Sequence, residues 1–159
     1  MTTGRDIAMA LRNAYLALHR RSEARFAPFG VTADQFVLLA TLARGGEALT
    51  QRELARRMSS DPSTVRAMLV LLAARGFVER ATHPNDARAR TVALTAKGQG
   101  VYQRLWKAGE SIRTRILSTL QPGEAEMLIG LLERVADSLD PGHAPIHLPA
   151  SSPTQKDEP

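Results

Sequence analysis

Apolar residues along this chain recur at two spacings, and the change between them organises the sequence. Ile7, Leu11, Ala14 and Leu18 share one helical face, so residues from about Arg5 to Phe26 are predicted to form a long first helix, ended by Pro28 and Gly30. Thr32 is placed to cap a second helix, ADQFVLLATLAR, which Gly45-Gly46 stop. Thr50 and Glu53 have capping-box spacing at the head of a short third helix, QRELARRMS, where Leu54, Ala55 and Met58 make one apolar stripe. Asp61 is a good N-cap, and Pro62 sits at the first helical position, where its missing N–H is tolerated. A fourth helix is therefore predicted from Pro62 to Ala74, with Gly76 just past its end. Its Val65, Leu69 and Leu72 fall within roughly 60° of one another at about 100° per residue, a stripe that faces a core.

The spacing then drops to two. FVERA and RTVALT read as strands on either side of a basic segment carrying the turn signal Pro84-Asn85-Asp86, which predicts a hairpin with a long tip. Thr95 is placed to cap a long fifth helix reaching about Leu120, and Pro122 opens a sixth running to about Leu139. The expected fold class is mainly α with a small β-hairpin wing, in the order α-α-α-α-β-β-α-α. Two short capped helices joined by a tight turn and followed by a hairpin make a winged helix-turn-helix.

Charge sharpens this picture. The 159-residue chain carries a net +5, but between Thr50 and Lys107 there are eleven Lys/Arg against four Asp/Glu, and elsewhere ten against twelve. A basic segment between slightly acidic flanks suits a polyanion. No cysteine is present, which excludes disulfides, thiolate metal sites and thiol redox sensing. No apolar run approaches a membrane span and no signal-peptide core is seen, so a cytoplasmic protein is expected. The proline-rich stretch from Asp140 to Pro159 has little to bury and is expected to be a disordered tail.

Candidate chemistry follows from the fourth helix and the wing. Opposite the apolar stripe lie Ser63, Arg66, Ala67 and Val70, with Ser63 and Thr64 at the helix N-terminus. Free N–H groups and hydroxyls there attract phosphate. Arg66 suits guanine or a phosphate, and Ala67 and Val70 suit a thymine methyl. Four arginines, Arg75, Arg80, Arg88 and Arg90, crowd around Asp86. Arg88 and Arg90 at a hairpin tip can reach a minor groove beside the major groove that the fourth helix would occupy, since narrow A·T-rich grooves favour arginine. Asp86 either pairs with the Arg88 side chain and orients it or shapes the loop as an Asx-turn, and the two roles are compatible.

VTADQFVLLATL, LTQRELARRMSSDPSTVRAMLVLLAARGFVER and HPNDARARTVALTAKG resemble successive signatures of the MarR family of bacterial transcriptional regulators, from about Val31 to Gly100. The most specific pieces are Asp86-x-Arg88 followed by Val92, Leu94, Thr95, Lys97 and Gly98, and the run Gly76 to Arg80. The resemblance implies a homodimer. Residues 1–30 and 96–139 would form a helical dimerisation region and residues 31–95 the winged helix-turn-helix domain, with the recognition helix in the major groove and Arg88 in the minor groove of double-stranded DNA. It also implies repression relieved by a small aromatic or phenolic acid bound between the two regions. This chain departs from the usual pattern at Arg66-Ala67 (often Thr-Arg), at Val70-Leu71 (often Asp-Arg) and at Ala87, so its base-reading face is less polar. A dimer of this kind requires half-sites about one helical turn, roughly 10 bp, apart in a near-palindrome.

For the effector, Arg12, Tyr15 and His19 share a similar face of the first helix, and Trp106 is expected near them from the fifth; the set could hold an aromatic carboxylate or simply pack a dimer interface. No cofactor or metal is expected. His143 and His147 have helical spacing, but Pro141 and Pro145 oppose the helix that would align them. No Walker loop, nucleophile elbow or dinucleotide fingerprint points to an enzyme. The competing class is a winged helix that binds protein, which would call for an apolar wing.

Overall fold

The computed structural model describes residues 1–46 and 48–143. Seven helices and three short strands alternate in the order α1 (Gly4–Phe26), a 3-10 turn (Ala27–Phe29), α2 (Ala33–Gly45), β1 (Leu49–Thr50), α3 (Gln51–Arg57), α4 (Pro62–Ala74), β2 (Val78–His83), β3 (Asp86–Leu94), α5 (Ala96–Ala108), α6 (Glu110–Ser118) and α7 (Glu124–Leu139). The fold is mainly helical with a small antiparallel wing. Beyond residue 143 the expected tail, including His147, lies outside the described residues.

Side-chain caps set most helix starts. Thr3 with Asp6 and Thr32 with Gln35 form reciprocal capping boxes. At α3 only half of the expected box exists: Thr50 Oγ1 accepts from Glu53 N at 3.1 Å, while the Glu53 carboxylate turns to Arg56 and Arg57. Two arginine donors within one turn outcompete a single backbone N–H for the carboxylate.

Three other features depart from the sequence reading. A third strand, β1, pairs with β3 through Leu49 and Val92, so the sheet order is β1-β3-β2. The expected long fifth helix is two helices that part at Gly109 (φ −80°, ψ −2°). Arg113 Nη2 donates to the Trp106 carbonyl at 2.7 Å, and a Cβ on Gly109 would lie 3.1 Å from Arg113 and 3.5 Å from Phe26, so the break is also where α1 meets α5. The hairpin has no long tip. β2 and β3 pair from Val78–Leu94 out to His83–Asp86, with a register shift after Thr82 and only Pro84 and Asn85 between the strands.

The core collects Leu38, Leu39, Leu54, Val65, Leu69, Leu72, Val92 and Leu105, each at most 1% exposed. It is thus built by α2, α3, α4, the sheet and α5. An aromatic column, Phe26–Phe36–Tyr102–Trp106, runs from the end of α1 across α2 to α5. By contrast, α6 and α7 bury no residue, and Leu117, Met127, Leu128, Leu131 and Leu132 are exposed on them. No single helix among the described residues is long and apolar enough to cross a membrane.

Candidate nucleic-acid interface

The turn between α3 and α4 is short and stiff. Ser59 adopts a left-handed conformation (φ 49°), Ser60 N donates to the Ala55 carbonyl at 3.0 Å and Ser59 N to that of Arg56 at 3.1 Å. This is a Schellman ending, made by a serine where glycine is usual. It delivers Asp61 as the N-cap of α4, and Val65, Met68, Leu69 and Leu72 seat that helix on the core.

Its other face is open. Ser63, Arg66, Ala67 and Val70 are all exposed, and so is Leu71, at 57%. Ser63 and Thr64 differ from expectation in one respect. The Asp61 carboxylate accepts from Ser63 N at 3.0 Å, from Thr64 N at 3.1 Å and from the Ser63 hydroxyl. Those contacts, the Ser63 hydroxyl first, hold the Asp61 carboxyl below its ordinary range. The first turn of α4 therefore has its N–H groups and the Ser63 hydroxyl turned to an anion of its own, and a phosphate would meet Arg66 first rather than free backbone donors.

On α3, Glu53 gathers Arg56 (2.8 Å) and Arg57 (2.7 Å), and their hydrogen bonds, Arg56 first, hold its carboxyl down to about 2. Together with exposed Arg52 these side chains form a basic flank beside α4 that the sequence reading did not single out. The capping signal drew attention to Glu53 but not to the arginines it would fix.

Arg88 and Arg90 stand on β3 rather than in a loop, two residues apart and so on the same face of the strand. Arg90 Nη1 reaches Thr82 Oγ1 at 3.4 Å, and Arg88 is exposed. Asp86 Oδ1 accepts from the Arg88 backbone N–H at 3.0 Å; among the described residues no ion pair joins the two side chains. Of the two roles open to Asp86, the turn-shaping one is realised. Arg75 is not part of this cluster at all. Its guanidinium donates to the Phe29 carbonyl at 3.0 Å and to that of Gly30, at the far end of α4.

The four candidate effector residues separate into two groups. Tyr15 and His19 are ring neighbours at 5.7 Å, with His19 Nε2 3.7 Å from Glu23, and Arg12 is exposed one turn earlier. Trp106 instead lies under the Arg113 guanidinium (3.7 Å) and beside Tyr102. Among the described residues no cluster of three or more His, Cys, Asp or Glu could hold a metal.

A capped helix with an apolar back and a small polar front, a basic neighbour and an arginine-bearing antiparallel wing define a winged helix-turn-helix DNA-binding protein. A MarR family model matches residues 29–89. The multiple antibiotic resistance protein MarR of Escherichia coli is 31% identical over 109 residues, 68% of this chain and 75% of that one. A structure of an E. coli MarR variant complexed with operator DNA superposes with a TM-score of 0.73 at 27% identity, covering 81% of this chain and 92% of that one. The PcaV regulator of Streptomyces coelicolor, in complex with its natural ligand, gives 0.70 at 25% identity, over 87% and 95%. The chain belongs to the MarR family and is a DNA-binding transcriptional regulator.

Proposed function

We propose that the protein acts as a homodimer that binds a pseudo-palindromic operator, represses transcription there in the cytoplasm, and releases DNA when a small aromatic or phenolic acid binds. The observation that carries this reading is the pairing of an open, small-residue face on α4 with Arg88 and Arg90 on one face of β3. The α4 face fits a major groove floor, where Arg66 donates to guanine or phosphate and Ala67 and Val70 meet thymine methyls. Arg88 enters the adjacent minor groove. Ser63 and Thr64 approach the DNA backbone by turning their hydroxyls from Asp61 to phosphate.

The dimer reading rests on the apolar surface left on α1, α6 and α7. None of the twenty-five residues in α6 and α7 is fully buried within the chain, and Leu117, Leu128, Leu131 and Leu132 stay exposed. Contiguous apolar surface of that kind marks a protein interface. A second copy covers it isologously, which sets two α4 helices about one DNA turn apart. The split of Tyr15 and His19 from Trp106 leaves those residues, with Arg12, as an effector set only if the second copy reunites them.

The alternative use of the fold as a protein-binding module fits less well with a wing whose outer positions are arginine. Footprinting on the region upstream of the protein's own gene tests the reading. Wild-type protein should protect two adjacent half-sites on one face of the duplex, and Arg88→Ala should lose that protection at the same concentration. Diffuse or absent protection by wild-type protein would refute it.

A further inference from the structure

We infer that Val70 and Leu71 make thymine and 5-methylcytosine equivalent to this protein: beyond Arg66, α4 reads the C5-methyl group of a base and no hydrogen-bonding edge. This rests on the proposed seating of α4 in a major groove and names what that groove must present. From Ala67 to Ala74 the helix has no polar side chain. Met68, Leu69 and Leu72 of that run are buried, while Ala67, Val70, Leu71 and Ala74 are exposed. At about 100° per residue these four span an arc of roughly 100°, which continues the face opened by Ser63. Val70 and Leu71 are 56% and 57% exposed. Ala67 lies one turn before them and Ala74 one turn after, so the two larger side chains stand proud of a small-residue strip.

A strip without donors or acceptors cannot tell one hydrogen-bonding edge from another. Of the features a base pair shows in the major groove, only the C5-methyl group is apolar. Thymine carries it and so does 5-methylcytosine, at the same ring position, whereas uracil and cytosine lack it. The surroundings of the strip commit it to DNA rather than to an apolar protein surface. Arg66 borders Val70 one turn earlier, Arg52, Arg56 and Arg57 line α3 beside it, and Arg88 stands on the wing, all exposed. A basic rim around an apolar floor is the complement of a duplex groove, whose phosphates flank the base edges. Arg66 is thus left with the hydrogen-bonded part of recognition, and Val70 and Leu71 with the methyl groups next to it.

The test starts from a site that the intact protein selects out of a random duplex pool, so it does not depend on where the natural operator lies. Fluorescence anisotropy then compares that site made with thymine, uracil, cytosine or 5-methylcytosine at its thymine positions, guanine standing opposite the last two. Wild-type protein should bind the uracil site about fourfold more weakly for each methyl that meets the strip. The salt slope should stay the same, because no phosphate contact is lost. 5-Methylcytosine should restore most of the affinity and cytosine should not. The Val70→Ala, Leu71→Ala double variant should keep its Tm, since both side chains are exposed, and should lose most of the distinction between thymine and uracil. Equal binding of the thymine and uracil sites by wild-type protein would overturn the inference. So would 5-methylcytosine no better than cytosine, or a thymine preference undiminished in the double variant. A pool from which no sequence is enriched would overturn the operator-binding reading itself, whereas enrichment without methyl dependence overturns this inference alone.

Discussion

Single residues decide how α4 is presented. Ser59 holds a left-handed conformation that costs a non-glycine residue roughly 1–2 kcal/mol, so Ser59→Gly should raise stability by about 0.5–1 kcal/mol in urea unfolding. A decrease would mean that its hydroxyl matters to the turn. Gly98 is constrained in the opposite sense: a Cβ there would lie 1.8 Å from the Phe77 carbonyl oxygen, a backbone atom that cannot step aside. Gly98→Ala should cost about 1–3 kcal/mol or more and loosen the wing's root. Glu53 links α3 to pH. Its carboxyl is lowered from 4.5 to about 2, so its contribution is complete above 4.5 and is lost as pH falls from 4.5 towards 2. As a surface group it is worth less than about 1 kcal/mol, so Glu53→Gln should cost up to that amount at pH 7 and nothing near pH 2, flattening stability across that acid window. Arg88→Ala should lower operator affinity by about 1–3 kcal/mol with the Tm held, because Arg88 is exposed and its structural hydrogen bond comes from the backbone.

At the scale of elements, much was legible in the sequence because caps and periodicity are local. The starts of α2, α4 and α5 follow from Thr32, Asp61 and Thr95, whose side chains each accept from the first turn. The inward stripe of α4 follows from the spacing of Val65, Leu69 and Leu72. What escaped is what depends on partners distant in the chain. β1 is two residues long and shows no period of its own; only Val92 and Thr91 across the sheet make it a strand. The break at Gly109 depends on Phe26 and Arg113 closing around it, and a lone glycine within a helical pattern does not announce that. Arg75 sits close in sequence to the wing arginines, yet its partners, Phe29 and Gly30, lie some 45 residues away. The strand assignment of Arg88 was hidden by the Pro-Asn-Asp signal, which marks a turn but not its length. The candidate DNA face was legible in outline, except that Asp61 takes the donors expected for phosphate.

For the whole molecule, the governing fact is the contrast between a filled core and two C-terminal helices in which no residue is fully buried. Leu128 and Leu131 lie nearly one turn apart on α7, both exposed, at 42% and 47%. If a second copy covers them, a Leu128→Glu, Leu131→Glu double variant should sediment as a monomer while wild-type protein sediments as a dimer. In the proposed dimer, operator recognition uses two α4 helices at once, so that variant should also lose operator binding with Arg66 and Arg88 intact. A dimer that survives both glutamates would place the interface elsewhere.

Basic residues concentrated between Thr50 and Lys107 give the DNA face its long-range field, and phosphate contacts make affinity fall with salt by about 0.9 log unit per log unit for each phosphate neutralised. The most direct test of operator binding is fluorescence anisotropy with a labelled duplex from upstream of the protein's own gene, set against a scrambled duplex across several salt concentrations. The structure predicts preferential binding to the upstream duplex that weakens steeply with salt. Equal binding to both duplexes, or binding indifferent to salt, would contradict an operator-binding regulator and leave the wing to some other partner.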